Sequence, residues 1–218
     1  MKVLITGGGC EEAVDTVRSL CNFSTGKTST QLAEIFAAQG CQVTALMGKR
    51  AVKPEETDSV CVREYVSFSD LHSALKEELA GGNYDAVIHA AAVADYSPDV
   101  IEADGKEYKA GQVPKITGVE NLVIHLKKNP KLVDSLKIWG GKNLKVVAFK
   151  LTSQATQSQR LEAVNKVRKS SDADYVVSND LSEIKGSAHP CRIYDSAENY
   201  HDVQNVAELG AYLLEVLK

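Results

Sequence analysis

Lys2-Val3-Leu4-Ile5-Thr6-Gly7-Gly8-Gly9 opens the chain. A short apolar run that ends in glycines reads as a buried strand closed by a turn that glycine accepts most easily. Similar units follow it. Over residues 28–39, Leu32, Ile35 and Phe36 share one helical face, and Gly40 ends the helix. Residues 41–46 and 61–66 read as the second and third strands. Leu71, Ala74, Leu75 and Leu79 keep helical spacing up to Gly81-Gly82, and residues 84–89 form a strongly apolar strand. Strands alternating with helices predict an α/β fold, with a mainly parallel sheet covered by helices on both faces. Right-handed crossovers then gather the loops that follow the strands along one edge, where such sheets bind ligands.

The second half is less regular. Residues 101–118 are polar, carry Gly105, Gly111 and Pro114, and show no sustained period. They predict an excursion near the active site, a hairpin followed by a loop. Regular structure returns at residues 122–126, with a helix expected to open at Pro130 and a strand over 144–149. Thr156 and Gln159 stand at capping-box spacing before Leu161, Val164 and Val167. A strand over 174–178, an edge strand over 191–194 and a last helix from Asn205, with Glu208 completing a second capping box, finish the chain. No repeat, linker or low-complexity tract interrupts it, so residues 1–218 are expected to form a single domain.

Composition excludes several classes. A net charge of -4 over 218 residues argues against a nucleic-acid partner, which calls for a basic surface. No stretch reaches the roughly 18 apolar residues of a membrane span, and the N-terminus lacks the apolar run of a signal peptide. Cys10, Cys21, Cys41, Cys61 and Cys191 are odd in number and contain no C-x-x-C pair. That fits a reducing, cytoplasmic setting and small core residues rather than disulfides or a zinc site.

Familiar nucleotide motifs fit poorly. In a dinucleotide fingerprint Gly7 and Gly9 match, but Glu12 holds the third glycine position, and the second strand runs out at Leu46-Met47-Gly48 without the ribose-binding acid. No tyrosine has a lysine four residues on, as a short-chain reductase would require. Gly26-Lys27-Thr28 resembles the end of a Walker A loop, yet Cys21 stands where its leading glycine belongs. What remains are small, donor-rich loops after strands. Asn22-Phe23-Ser24-Thr25-Gly26-Lys27 precedes a helix whose N-terminus would face an anion. Ser24 and Thr25 read equally as a helix cap or as part of a phosphate site, and the two are compatible.

Asp15-Thr16-Val17-Arg18 followed by Asn22-Phe23-Ser24-Thr25-Gly26-Lys27 resembles the signature of the phosphopantothenoylcysteine synthetase family. So do Ala90-Ala91-Ala92-Val93-Ala94-Asp95-Tyr96, Lys115-Ile116, Lys128-Asn129-Pro130, Ala148-Phe149-Lys150-Leu151 and Ser178-Asn179-Asp180, in the family's order. The resemblance implies a Rossmann-like three-layer fold. It also implies a ligase joining 4′-phosphopantothenate to cysteine through an acyl-nucleotidylate, with CTP (or ATP) and Mg2+. A homodimer is expected. The chain starts at the ligase part, so a stand-alone form without flavin is expected.

Carried over residue by residue, Asn22 supports the second step and Lys115 neutralises phosphate charge in the first. Gly7, Gly8, Ser24, Thr25, Gly26 and Lys27 complete the phosphate set. Asp95 is expected at ribose or metal-linked phosphate, Phe149 at the base, and Lys150, Asn179 and Asp180 on the same edge. Each has a plainer alternative: a loop amide for Asn22, a solvated lysine for Lys115, a turn aspartate for Asp95, a core aromatic for Phe149. Phe149-Lys150-Leu151-Thr152 replaces the Phe-Ala-Ala-Glu-Thr of many fused bacterial members and leaves CTP against ATP open. The competing functions are a nicotinamide-dependent oxidoreductase and a non-catalytic nucleotide-binding regulator.

Overall fold

The computed structural model describes every residue except Ser187 and Glu198. In chain order, β1 (Lys2–Gly7) leads into a small hairpin, β2 (Glu11–Ala13) and β3 (Ser19–Cys21), and then α1 (Lys27–Ala38). Next come β4 (Gln42–Gly48), β5 (Val60–Tyr65), α2 (Phe68–Gly81) and β6 (Ala86–His89). An antiparallel excursion follows, made of β7 (Tyr96–Ala103), β8 (Lys106–Lys109) and β9 (Leu122–Lys128). A 3-10 turn, Leu132–Ser135, enters α3 (Leu136–Gly140), then β10 (Lys145–Thr152), α4 (Gln157–Ser171) and β11 (Tyr175–Asp180). The described chain ends with β12 (Cys191–Asp195), β13 (Tyr200–Val203) and α5 (Val206–Val216).

The main sheet runs β5-β4-β1-β6-β10-β11-β12-β13. Its first six strands are parallel, and β12 and β13 are antiparallel. The first six follow the Rossmann order, in which the chain winds outward from β1 in one direction and then returns to build the other half. The reversal lies between β1 and β6, so the crevice above their C-terminal ends is where a ligand fits.

Alternation along the strands divides the core. Val3 and Ile5 of β1 join Ile88, Val147 and Val177 beneath α1 and α5. Leu4 joins Val87, Val146 and Val176 beneath α2, α3 and α4. This is the arrangement expected from apolar strands buried on both faces, and it makes the sheet a rigid platform.

The excursion is the predicted hairpin, but it is more ordered than its composition suggests. Asp104 and Gly105 both take positive φ in a two-residue turn, the left-handed geometry of a type I′ hairpin. β9 then pairs along β7 to complete a three-stranded sheet.

Several local expectations are corrected. Two unpredicted strands make the β2–β3 hairpin, and β13, not β12, is the outer strand of the main sheet. Pro130 does not open an α-helix: the chain passes through the 3-10 turn first, and α3 begins at Leu136. The Thr156–Gln159 capping box is present. The one at Asn205 is only half made, because the Glu208 carboxylate accepts from Gln204 N and Asn205 Nδ2 and not from the Asn205 backbone N–H. Cys10, Cys41 and Cys191 are buried, but Cys21 and Cys61 are exposed, so not all five cysteines are core residues. Among the described residues, no helix is long and apolar enough to cross a membrane.

Candidate active site

The glycine turn after β1 forms the floor of the crevice. Gly8 has φ +82°, in the left-handed region, and a side chain there would meet Ala51 and Gly48. A Cβ on Gly9 would come within 2.2 Å of the Asn22 carbonyl oxygen. Glycine at position 9 therefore lets the 22–26 loop lie directly on the turn. Gly7 lies equally close to Ser29, whose hydroxyl donates to Thr6 O at 3.0 Å and joins α1 to β1. From below, the buried Tyr65 hydroxyl lies 3.0 and 3.1 Å from the Gly7 and Gly8 carbonyl oxygens and donates to this pair.

The loop after β6 closes the crevice. Ala92 N donates to Gly8 O and Cys10 N to Ala92 O, which extends the β1–β6 pairing past both strand ends. Asn22 Nδ2 donates to Val93 O at 3.0 Å and aims the amide across this seam. Glu12, Leu20, Cys21, Asn22, Ala94, Asp95 and Tyr96 surround a depression of about 290 Å³. The depression brings Asn22 and Asp95 together, and Gly8 and Gly26 both lie against Ala51 while Gly9 touches the Asn22 carbonyl and Ser24 N.

Gly26, and neither Ser24 nor Thr25, is the N-cap of α1. It has φ +75° and no side chain caps the helix. Ser24 does not cap the helix, and Thr25 contributes only a long contact, its Oγ1 accepting from Lys27 N at 3.5 Å. The first turn of α1, starting at Lys27, keeps backbone N–H groups that no helical carbonyl can satisfy, and these favour an anion.

Asp95 forms an ion pair with Lys131 at the surface. Asn129 fixes the backbone on either side of that pair: its side chain donates to Ala94 O and Ser97 Oγ, and its N–H to Asp95 O. This gives Asn129, the middle residue of the Lys128-Asn129-Pro130 motif, its structural role.

The remaining predicted residues lie further along the same edge. From β1 to β11 are three strand spacings, about 14 Å, a span suited to an extended nucleotide. Phe149 is half-buried and packs against the core beneath α1 and α5. Lys150 points to the opposite face. Asn179 is buried, with Nδ2 at 3.0 Å from His189 Nε2 and its Oδ1 without a hydrogen-bond partner. Asp180 is fully enclosed. Its carboxylate accepts from Thr152 Oγ1, Gln154 N, Ala155 N, and the N–H and hydroxyl of Ser182. These donors, led by the Ser182 hydroxyl, hold its carboxyl well below the usual carboxylate range. Asp180 shapes the loop from β10 to α4 and leaves no oxygen facing outward.

Lys115 is exposed on the segment after β8, away from the sheet edge in sequence. That segment is held against the tip of the β2–β3 hairpin by Asp15 and Arg18.

Three further residues shape the site without having been singled out for it. Glu12, which looked like a missing glycine, is buried. Its carboxylate accepts from Phe68 N and Ser97 Oγ, both at 2.6 Å, and ties β2 to α2 and β7. Its sequence neighbours, Glu11 and Ala13, gave no sign of this. His89 is buried at the end of β6, with Nδ1 at 2.9 Å from Thr6 Oγ1, and burial pushes its pKa down to about 4. It is a neutral strut at physiological pH. Tyr65 was visible only as the end of a strand.

The family model for the DNA/pantothenate metabolism flavoprotein C-terminal domain matches residues 1–209. This chain belongs to that family. The Coenzyme A biosynthesis bifunctional protein CoaBC of Thermococcus kodakarensis is 29% identical over 181 residues, 83% of this chain and 41% of that protein. The chain thus spans less than half the length of that relative. The crystal structure of the DNA/pantothenate metabolism flavoprotein from Streptococcus pneumoniae superposes with a TM-score of 0.89 at 29% identity, covering 100% of this chain and 98% of the other. The C-terminal domain of a CoaBC protein shares the fold, with a TM-score of 0.76 at 23% identity over 99% and 93% of the two chains. The family's match ends just inside α5, so the whole crevice lies within it.

Proposed function

We propose that this chain ligates 4′-phosphopantothenate to cysteine, using CTP in preference to ATP, in coenzyme A biosynthesis. Membership in the family and the naming of its relatives for coenzyme A biosynthesis support the pathway. The observation that carries the chemistry is the Asn22 amide held over the β1–β6 seam. One N–H bonds Val93 O and the other is left for a substrate oxygen.

A carboxylate at neutral pH has no leaving group. Its oxygen attacks the α-phosphorus of the nucleotide, a new P–O bond forms, the bond to the β,γ-phosphates breaks, and pyrophosphate leaves. Lys115 offsets the charge gathering on the phosphates, alongside Mg2+ brought in with the nucleotide. Among the described residues no three His, Cys, Asp or Glu side chains stand together as a metal cage. Such an ion is commonly held by phosphate oxygens and water, with few protein ligands. The amine of cysteine then attacks the acyl carbon, the C–O bond to the nucleotide breaks, and the nucleoside monophosphate leaves as the nitrogen loses its proton. Asn22 donates to the carbonyl oxygen as charge develops on it. Fixed donors of this kind act most strongly in the transition state.

The glycine turn, Ser24, Thr25, Gly26 and Lys27 offer backbone and side-chain donors to phosphates. The exposed Leu122, Val123 and Leu126 on β9, at the free edge of its sheet, support a homodimer. Pyrophosphate release with phosphopantothenate, cysteine and magnesium, compared for CTP and ATP, tests the reading. Release that requires phosphopantothenate and is faster with CTP is expected. Absence of release with both nucleotides would overturn it.

A further inference from the structure

Asp15 and Arg18 form a clamp whose two ends touch different parts of the chain. The Asp15 side chain is 0% exposed although it lies in a surface turn. One carboxylate oxygen accepts from Val17 N at 2.9 Å and Arg18 N at 2.8 Å, which fixes the turn between β2 and β3. The other accepts from Arg18 Nε at 2.9 Å and from Ile116 N at 3.2 Å. Arg18 Nη2 then donates to Ile116 O at 3.1 Å. Both backbone polar groups of Ile116, the residue next to Lys115, are thereby held by one side-chain pair.

Two backbone bonds continue the attachment: Gly111 N to Val14 O and Thr16 N to Val113 O. The 111–116 segment, which has no regular structure of its own, is thus laid along the hairpin. At its other end β3 leads directly into Asn22. A single hairpin carries Asn22 at one end and the support of Lys115 at the other.

We propose that Asp15 and Arg18 are positioning residues that set Lys115 relative to Asn22, so that the nucleotide's phosphates and the acyl group are engaged from one rigid piece. The proposal rests on the role given to Lys115 in the ligase reading. Arginine is needed because its planar fork bridges a carboxylate and a carbonyl oxygen together, which a lysine ammonium does with much less geometric control.

The clamp has a direct readout apart from catalysis. Trypsin cuts after lysine, and the Lys115–Ile116 bond is the one whose N–H and flanking carbonyl the clamp holds. Cleavage needs local opening, so its rate reports how often the segment lets go. Arg18→Ala and Asp15→Asn are expected to speed cleavage at this bond about tenfold or more, the change produced by each 1.4 kcal/mol lost from the closed state. Cleavage at lysines of the main sheet should be unchanged, which also shows that the variants are folded. Arg18→Lys should fall in between.

In the ligase assay, Arg18→Ala is expected to lower kcat/KM for the nucleotide by about ten- to a hundredfold, the cost of a misplaced catalytic group. Combined with Lys115→Ala it should add less than about twofold, because groups acting as one unit are not additive. Unchanged cleavage at Lys115–Ile116, or losses that multiply in the double variant, would overturn the proposal. If the wild type itself releases no pyrophosphate, the ligase reading fails. The cleavage rates then still decide whether the clamp holds the segment.

Discussion

The β1–β6 crevice and the β7–β8–β9 excursion, which carry the two halves of the proposed site, are held in opposite ways. The crevice stands on strands buried on both faces, with Val3, Leu4, Ile5, Val87 and Ile88 all at 0% exposure. The excursion has few buried side chains, Ile101 and Ala103 among them, and is tied down by polar bonds: Glu12 to Ser97, Asn129 to Ala94, Arg18 to Ile116. Burial of apolar area is strong but undirected, whereas hydrogen bonds contribute little net free energy and much geometric definition. The sheet therefore supplies stability, and the polar ties fix the backbone beside Asp95 and Lys115.

This contrast can be broken from either side. Leu75→Ala, in the core beneath α2, should lower unfolding free energy by about 3 kcal/mol and leave the nucleotide KM of surviving enzyme unchanged. Urea titration beside steady-state kinetics checks it, and a changed KM at full occupancy of the fold would contradict the division.

A pH test probes the polar strut within the sheet. The folded-state pKa of His89, about 4, lies below its unfolded value, so the neutral form is the stabilised one. That contribution is present above about pH 6.5 and is lost as pH falls toward 4. Between pH 7.5 and 5 the wild type should lose about 2 kcal/mol more stability than His89→Gln. Parallel pH curves for the two proteins would show that His89 does not titrate in this way.

On the excursion side, Asn129→Ala should cost about 1–2 kcal/mol, because it removes two donors from part-buried acceptors. It should also weaken the nucleotide-dependent step through Asp95, which a combined melt and kinetic comparison separates. Asp104→Asn should change stability by less than about 0.5 kcal/mol, since asparagine also suits the first position of this turn.

The same contrast governs what could be read in advance. Strands β1, β4, β6, β10 and β11 were visible because their apolar runs are the cause of their burial, whereas β5, at the sheet's edge, buries only Val60 and Tyr65. The start of α1 was visible to within one residue, at Thr28 against Lys27, while Ser24 and Thr25 were left between a helix cap and a phosphate site. The hairpin β2–β3 was not, because three-residue strands have no period and their partners are set by the Asp15 turn. Glu12 looked like a defect in a glycine motif, since its two partners, Phe68 and Ser97, are 56 and 85 residues away. Asp180 was expected to face a ligand because it ends a strand on the binding edge. Only the donors converging from residues 152–155 and 182 reveal it as a loop organiser. Asp15 and Arg18 were legible as a family signature, but their hold on Ile116 depends on a contact a hundred residues distant in the chain.

The most direct test of the account is a rapid-quench experiment on Asn22→Ala, with labelled nucleotide, phosphopantothenate and magnesium, before and after cysteine is added. The account predicts that the acyl-nucleotidylate and pyrophosphate form at near wild-type rate, and that amide formation then slows by about a hundred- to a thousandfold, the usual cost of removing one such donor. Equal slowing of both steps, or amide formation at the wild-type rate, would contradict the role of Asn22 and with it the placing of the second step at the β1–β6 crevice.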